Sequence, residues 1–190
     1  ADDVKHKFGG TNDADNSGSL RYVRIEFGGY VFAANKEING LTMGAVGSGT
    51  TIEYVQCSYI NDDAFEWFGG TVNCKYLVAY RCMDDDFDTD FGYRGNVQFA
   101  LSVKDPAQAD PTYAAASGAS TSEGFESDND ATGSYVFPRT SATFSNVTLI
   151  GPFRGNNNST VHPGFRRGAR IRRNSGLRIL NSVWSDWATG

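Results

Sequence analysis

Residues 61–95 contain a structural unit and its near copy, 22 positions apart. Asp62-Asp63 returns as Asp84-Asp85 and Phe65-Glu66 as Phe87-Asp88, and Tyr54-Val55, just ahead of this stretch, returns as Tyr76-Leu77. A period of this size with no helical pattern inside it belongs to a stacked β-coil, where each unit buries its apolar face only against its neighbours. Strand-like alternation runs through Leu20–Phe27, Ile38–Met43, Thr51–Ser58, Ala64–Phe68, Lys75–Arg81, Asp86–Phe91, Val97–Val103, Phe144–Ile150, Ala169–Arg173 and Leu177–Trp184. These segments predict an all-β fold: one single-stranded right-handed parallel β-helix of about five to six coils over residues 1–190. A long insertion is expected near 105–140, where Asp105-Pro106, Asp110-Pro111 and Phe137-Pro138 break the pattern. Val23, Val55, Leu77 and Phe99 are expected to form one interior column. Ile25, Cys57, Ala79 and Leu101 are expected to form the next.

Composition narrows the function classes. A hydrophobic share of 39% is enough for a core and excludes disorder as the main state. No apolar run approaches the roughly 18 residues of a membrane span. Cys57, Cys74 and Cys82 form no C-x-x-C pair, which disfavours zinc; buried free thiols are expected, with one disulfide still open. Residues 1–150 carry 21 acids and 10 bases, residues 151–190 carry 1 and 7, so the two halves can neutralise each other. The chain has no leader at Ala1 and ends on Val183-Trp184-Ser185-Asp186-Trp187 without polar capping. A fragment of a longer chain, or one that stacks end to end, is therefore expected.

Stacking the units generates two columns. One is Phe65, Phe87, Phe125 and Phe165, a favourable aromatic stack. The other is Glu66, Asp88, Glu126 and Arg166. Carboxylates on adjacent coils would stand roughly 4.8 Å apart and repel. Two compensators are available. Arg166, with Arg167, Arg170, Arg172 and Arg173 behind it, can pair with them internally. Alternatively Asp62, Asp63, Asp84, Asp85, Asp86, Asp88, Asp90, Asp128 and Asp130 can supply the 6–8 oxygens of a Ca²⁺ site.

The chemistry that fits this pattern is limited. A calcium-dependent polysaccharide lyase would set an Asp cluster against a basic side chain, for which Lys75, Arg81, Arg94 and Lys104 are candidates. No pair of acids is singled out for glycoside hydrolysis, and there is no G-x-S-x-G or phosphate loop. His6 and His162 fall in loops. The arginine cluster is expected to be occupied by the acids, which leaves no nucleic-acid surface. Trp67, Tyr93 and Tyr113, with Phe91 and Tyr135, are candidates for stacking on a glycan.

The blocks NSGSLRYVRIEFGGY, EINGLTMGAVGSGTTIEYVQ, DDAFEWFGGTVN, YRCMDDDFDTDFGYRGNVQF, GFESDND and RRGARIRRNSGLRILNSV resemble a family of bacterial cell-surface proteins. Its members are exported, lipoprotein-like or surface-sorted right-handed parallel β-helices. The resemblance spans about residues 9–187. It implies the fold, export, and an extracellular or outer-membrane location, with any membrane attachment through an anchor outside this chain. It brings no activity and no catalytic residues. The expectation is a non-catalytic binding or spacer module with an acidic flank that binds Ca²⁺. The alternatives are a lyase-like enzyme acting on a polysaccharide and a self-stacking structural protein.

Overall fold

The computed structural model describes residues 7–33, 36–114, 120–156 and 158–190; His6 lies outside them. Two parallel sheets alternate along the chain. The first stacks β1 (Ser19–Glu26), β5 (Thr51–Ser58), β7 (Asn73–Tyr80), β9 (Asn96–Val103) and β11 (Thr143–Ile150), and ends on the split layer β13 (Arg178–Leu180) and β14 (Val183–Ser185). The second stacks β4 (Leu41–Gly44), β6 (Phe65–Phe68), β8 (Phe87–Asp90), β10 (Phe125–Ser127) and β12 (Ala169–Ile171). Every pairing within both sheets is parallel. The chain is a parallel β-helix. An antiparallel hairpin, β2 (Tyr30–Ala33) and β3 (Lys36–Ile38), replaces one turn of the first coil. The described residues include no α-helix, only short 3-10 turns at Arg154–Asn156 and Asn158–Thr160. The expected insertion is two excursions, before and after β10.

The core is built by strand alternation. In the second sheet Phe65, Trp67, Phe87, Thr89, Phe125 and Ser127 point inward with no exposed surface. Phe65 pairs with Phe87 and Phe87 with Phe125, their ring centroids 5.8 and 5.4 Å apart. Phe144 from the first sheet closes on Phe125 edge to face.

Two registers depart from the expected ones. The residue above Phe125 is Ala169, so Phe165 is not in the phenyl column and Arg166 is not in the acid column; Arg170 stands above Glu126. Gly164-Phe165-Arg166 imitates Gly124-Phe125-Glu126, but Gly168-Ala169-Arg170 makes the ladder, with Phe125 N donating to Gly168 O. Phe165 instead bridges to Ser122. In the first sheet, the step from β7 to β9 pairs Leu77 with Ala100 and Ala79 with Ser102, displacing Phe99 and Leu101 from the interior columns. The extra residue sits in the turn before β9, where Gly95 is required: a Cβ there would lie 2.0 Å from Val72 O.

Phe99 belongs to a different column. Tyr22, Tyr54, Tyr76, Phe99, Asn146 and Asn181 all have φ between 45° and 60°. This left-handed residue bends each long strand at its middle. Left-handed backbone disfavours tyrosine and phenylalanine, and the rings offset that cost by stacking at 4.6, 4.4 and 5.3 Å on the outside of the coil. Asn181 Nδ2 donates to Asn146 Oδ1 at the far end of the same column.

Candidate metal centre

The same alternation that buries the phenyl rings sends Glu66, Asp88 and Glu126 to the opposite face of the second sheet, in register: Thr42, Glu66, Asp88, Glu126, Arg170. The turns entering β6 and β8 add Asp62, Asp63, Asp84 and Asp85 alongside. Carboxylate oxygens from Asp62, Asp63 and Asp84 lie within 4.8 Å of one another, as do those of Asp63, Glu66 and Asp88, and those of Asp85, Asp88 and Glu126. Asp63 and Asp88 are shared, so the three groups form one continuous chain of oxygens.

These groups are buried. Asp62, Asp63 and Asp85 are 5, 7 and 4% exposed. Some oxygens are held by the fold: Asp85 N donates to Asp63 Oδ1 (2.9 Å), Glu123 N to Asp85 Oδ1 (2.5 Å), and Asn39 Nδ2 to Glu66. Asp84 Oδ1 and Asp88 Oδ1 are buried with no hydrogen-bond partner. Burial, with neighbouring carboxylates adding to it, pushes Asp62 up to about 7 and Glu66 up to about 8. The same causes push Asp63, Asp84, Asp85 and Asp88 well above the carboxylate range. Asp110, which the sequence marks only as a break before Pro111, adds to the field at Asp62 and Asp84.

Toward the C-terminus the ladder meets arginines. Arg167 Nη1 lies 2.9 Å from Glu123 Oε1, Arg170 Nη1 3.0 Å from Glu126 Oε2, and Arg173 Nη1 2.8 Å from Asp128 Oδ2. Arg172 bridges Glu126 and Asp128. Burial still raises Glu126, though Arg172 and Arg170 oppose it.

The other candidates lie elsewhere. Asp86 and Lys104 are both fully buried, with Lys104 Nζ 3.1 Å from Asp86 Oδ1. Lys104 also donates to Cys82 O and Asp84 O, and Ser102 Oγ donates to Asp86. That ammonium is saturated inside the coil and unavailable to a substrate. Arg81 pairs with Asp105 and Arg94 with Asp13, while Lys75 is on the first sheet beside Glu53. Asp90 accepts from Phe91 N, and Asp130 caps the turn through Thr132 and Ser134. Neither belongs to the three oxygen groups. Trp67 and Tyr93 are core residues stacked at 5.3 Å, and Tyr93 OH donates to Val72 O, so they offer no face to a glycan. Tyr113 is half-buried, edge-on to His162. Cys57, Cys74 and Cys82 are free and buried. Burial pushes the Cys74 and Cys82 thiols up to about 12, which makes them poor metal ligands.

An all-oxygen donor set of carboxylates suits a hard cation such as Ca²⁺, with water completing its shell. The two unpartnered oxygens, on Asp84 of the first group and on Asp88, which the other two share, fit that use. A bound cation would supply the positive charge that the N-terminal half of the ladder does not draw from arginine.

No curated protein and no solved structure matches the chain. A family model described as a pectate-lyase-like β-helix domain matches residues 1–190, over the full stack in which this ladder is built. The chain belongs to that family of pectate-lyase-like β-helix domains.

Proposed function

We propose that this chain is a non-catalytic β-helix module, exported to a cell surface or secreted, whose acidic flank is held together by Ca²⁺. The observation that carries this reading is the continuous chain of buried carboxylates through Asp63 and Asp88, with unpartnered oxygens on Asp84 and Asp88. Such groups must take up protons or a cation, and a cation shared between turns would clamp one coil to the next. The candidate bases support a structural rather than a catalytic role, because Lys104, Arg81 and Arg94 are each engaged in an ion pair. The module would act as a binding surface or spacer, with any membrane anchor outside it. β1 and the split layer β13/β14 each leave one edge unpaired among the described residues. A further coil, from this chain or another, can add at such an edge.

One observation favours the lyase reading: Arg170 and Arg172 stand beside the Asp85, Asp88 and Glu126 group. Against it, Glu126 and Asp128 hold the Arg172 guanidinium protonated.

Calorimetric titration of Ca²⁺ into the chelator-treated protein tests the proposal. Saturable binding is expected in the wild type and its loss in Asp88→Asn. No binding in the wild type would overturn the cation reading. Formation of unsaturated products from polygalacturonate would overturn the non-catalytic one.

A further inference from the structure

The first sheet carries an oxidisable column on its outer face. The left-handed bend at the middle of β1, β5 and β7 falls on Tyr22, Tyr54 and Tyr76. The registers on either side of the bend match coil to coil, Val23 opposite Val55 and Val55 opposite Leu77. The three rings therefore stand one above the next. Their centroids are 4.6 and 4.4 Å apart, and their planes lie 7° and 14° from parallel. All three are exposed, by 74, 38 and 38%. They border an open groove of about 700 Å³. Phe99 continues the stack beyond Tyr76 at 5.3 Å, and Tyr22 ends it with one ring face bare of any described aromatic side chain.

What these three rings have and Phe99 lacks is a phenol. A phenol gives up one electron far more readily than a plain benzene ring, and the phenoxyl radical carries spin on the carbons ortho to oxygen. Two such rings held face to face are positioned to couple. The other tyrosines lack this arrangement. Tyr59 and Tyr80 meet edge-on, at 5.7 Å and 87°. Tyr93 is buried, its hydroxyl donating to Val72 O. Tyr113 stands edge-on to His162. Tyr30 and Tyr135 are exposed but stack on no other described aromatic ring. The cysteine thiols, which oxidants also attack, are buried.

We propose that Tyr54 is a site of oxidative cross-linking, joined through a dityrosine bond to Tyr22 or Tyr76 when the chain meets a one-electron oxidant, here a haem peroxidase supplied with hydrogen peroxide. Each phenol loses one electron and its hydroxyl proton. The two phenoxyl radicals form one new bond between ortho carbons, Cε to Cε. The hydrogen on each of those carbons then moves to the oxygen and restores the phenol. The net loss is two hydrogen atoms, which reduce one peroxide to two waters. The outer position of the rings leaves them room to tilt edge to edge for bonding. The bond ties β5 to a neighbouring coil and closes a short loop, which restricts the unfolded chain. It lies on the other sheet from the carboxylate ladder and uses none of its residues, so it stands apart from the cation.

Oxidation of the dilute purified chain by a haem peroxidase with limiting hydrogen peroxide tests it, read by intact mass, dityrosine fluorescence and tryptic mapping. Trypsin separates the three tyrosines into residues 22–24, 37–75 and 76–81. Expected is a fluorescent monomer lighter by two hydrogens. Its joined peptides should be 37–75 with 22–24 or with 76–81, and fragmentation should place the bond at Tyr54. Tyr54→Phe keeps the stack and should lower the monomer's dityrosine about tenfold or more, as should Tyr22→Phe/Tyr76→Phe. Tyr59→Phe should leave it unchanged. The linked monomer should melt above the unlinked one. No dityrosine in the monomer would overturn the proposal, as would dityrosine that survives Tyr54→Phe or a link confined to dimers. A linked monomer that melts no higher would overturn the clamping role.

Discussion

The carboxylate ladder is one column with two different halves. Its C-terminal half, Glu123, Glu126 and Asp128, meets Arg167, Arg170, Arg172 and Arg173. Its N-terminal half, Asp62, Asp63, Glu66, Asp84, Asp85 and Asp88, has no side-chain ion pair among the described residues. Both halves stack at the same coil spacing, so both face the same repulsion. The comparison shows that the two compensators open at the level of sequence, internal arginine and bound cation, are not rivals. Each suits one end of the column, and the change-over occurs at Glu126, which belongs to the Asp85–Asp88–Glu126 group and also pairs with Arg170 and Arg172.

The sharpest way to break this comparison is to remove the one cationic side chain that is wholly buried among the described residues. Lys104→Ala leaves the buried Asp86 carboxyl without its cation and with Ser102 Oγ as its remaining side-chain partner, and should cost about 3–5 kcal/mol in urea unfolding. Pairing it with Asp86→Leu should recover most of that loss. Next, Arg172→Ala removes the bridge between Glu126 and Asp128 and should cost about 1–3 kcal/mol. It should also make the C-terminal half respond to Ca²⁺ as the other half does, seen as a larger calcium-dependent rise in melting temperature than in the wild type. The opposite sign is expected in the N-terminal half. Without metal, Asp88→Asn removes a repelling charge and should stabilise by up to about 1 kcal/mol, while blunting the Ca²⁺ response.

The pH dependence of the cation-free protein follows from the same half. Asp62 is pushed up to about 7 and Glu66 up to about 8, so the folded chain keeps protons that the unfolded chain has lost. Stability should therefore be fully present below the ordinary carboxylate range and fall as pH rises toward 8. Urea unfolding at pH 5 and pH 8 in chelator checks the sign.

Much of this was legible in the residues. The 22-residue period located Phe65 over Phe87 and Glu66 over Asp88, and the Gly-Phe-Glu block placed Phe125 and Glu126 correctly above them. The next step failed because Gly164-Phe165-Arg166 and Gly168-Ala169-Arg170 both fit the block, and only the hydrogen bonds of the following strand distinguish them. Phe99 was misplaced because one added turn residue shifts every later side chain to the other face. The ridge of left-handed residues leaves no alternation signal, since the bend interrupts the period of two. Lys104 reads as a surface lysine at a strand end; its burial follows from the turn that brings Cys82 O and Asp84 O to it. Trp67 and Tyr93 show the converse: polar neighbours in sequence, but an inward face in the coil.

The central claim is that the N-terminal half of the ladder lacks a counter-charge that a divalent cation supplies. Its most direct test is the melting temperature at pH 8, where its carboxylates are most ionised, in Ca²⁺ and in excess chelator. The account predicts a clear rise in Ca²⁺ that Asp63→Asn/Asp88→Asn removes. Identical melting curves in the two conditions would contradict it.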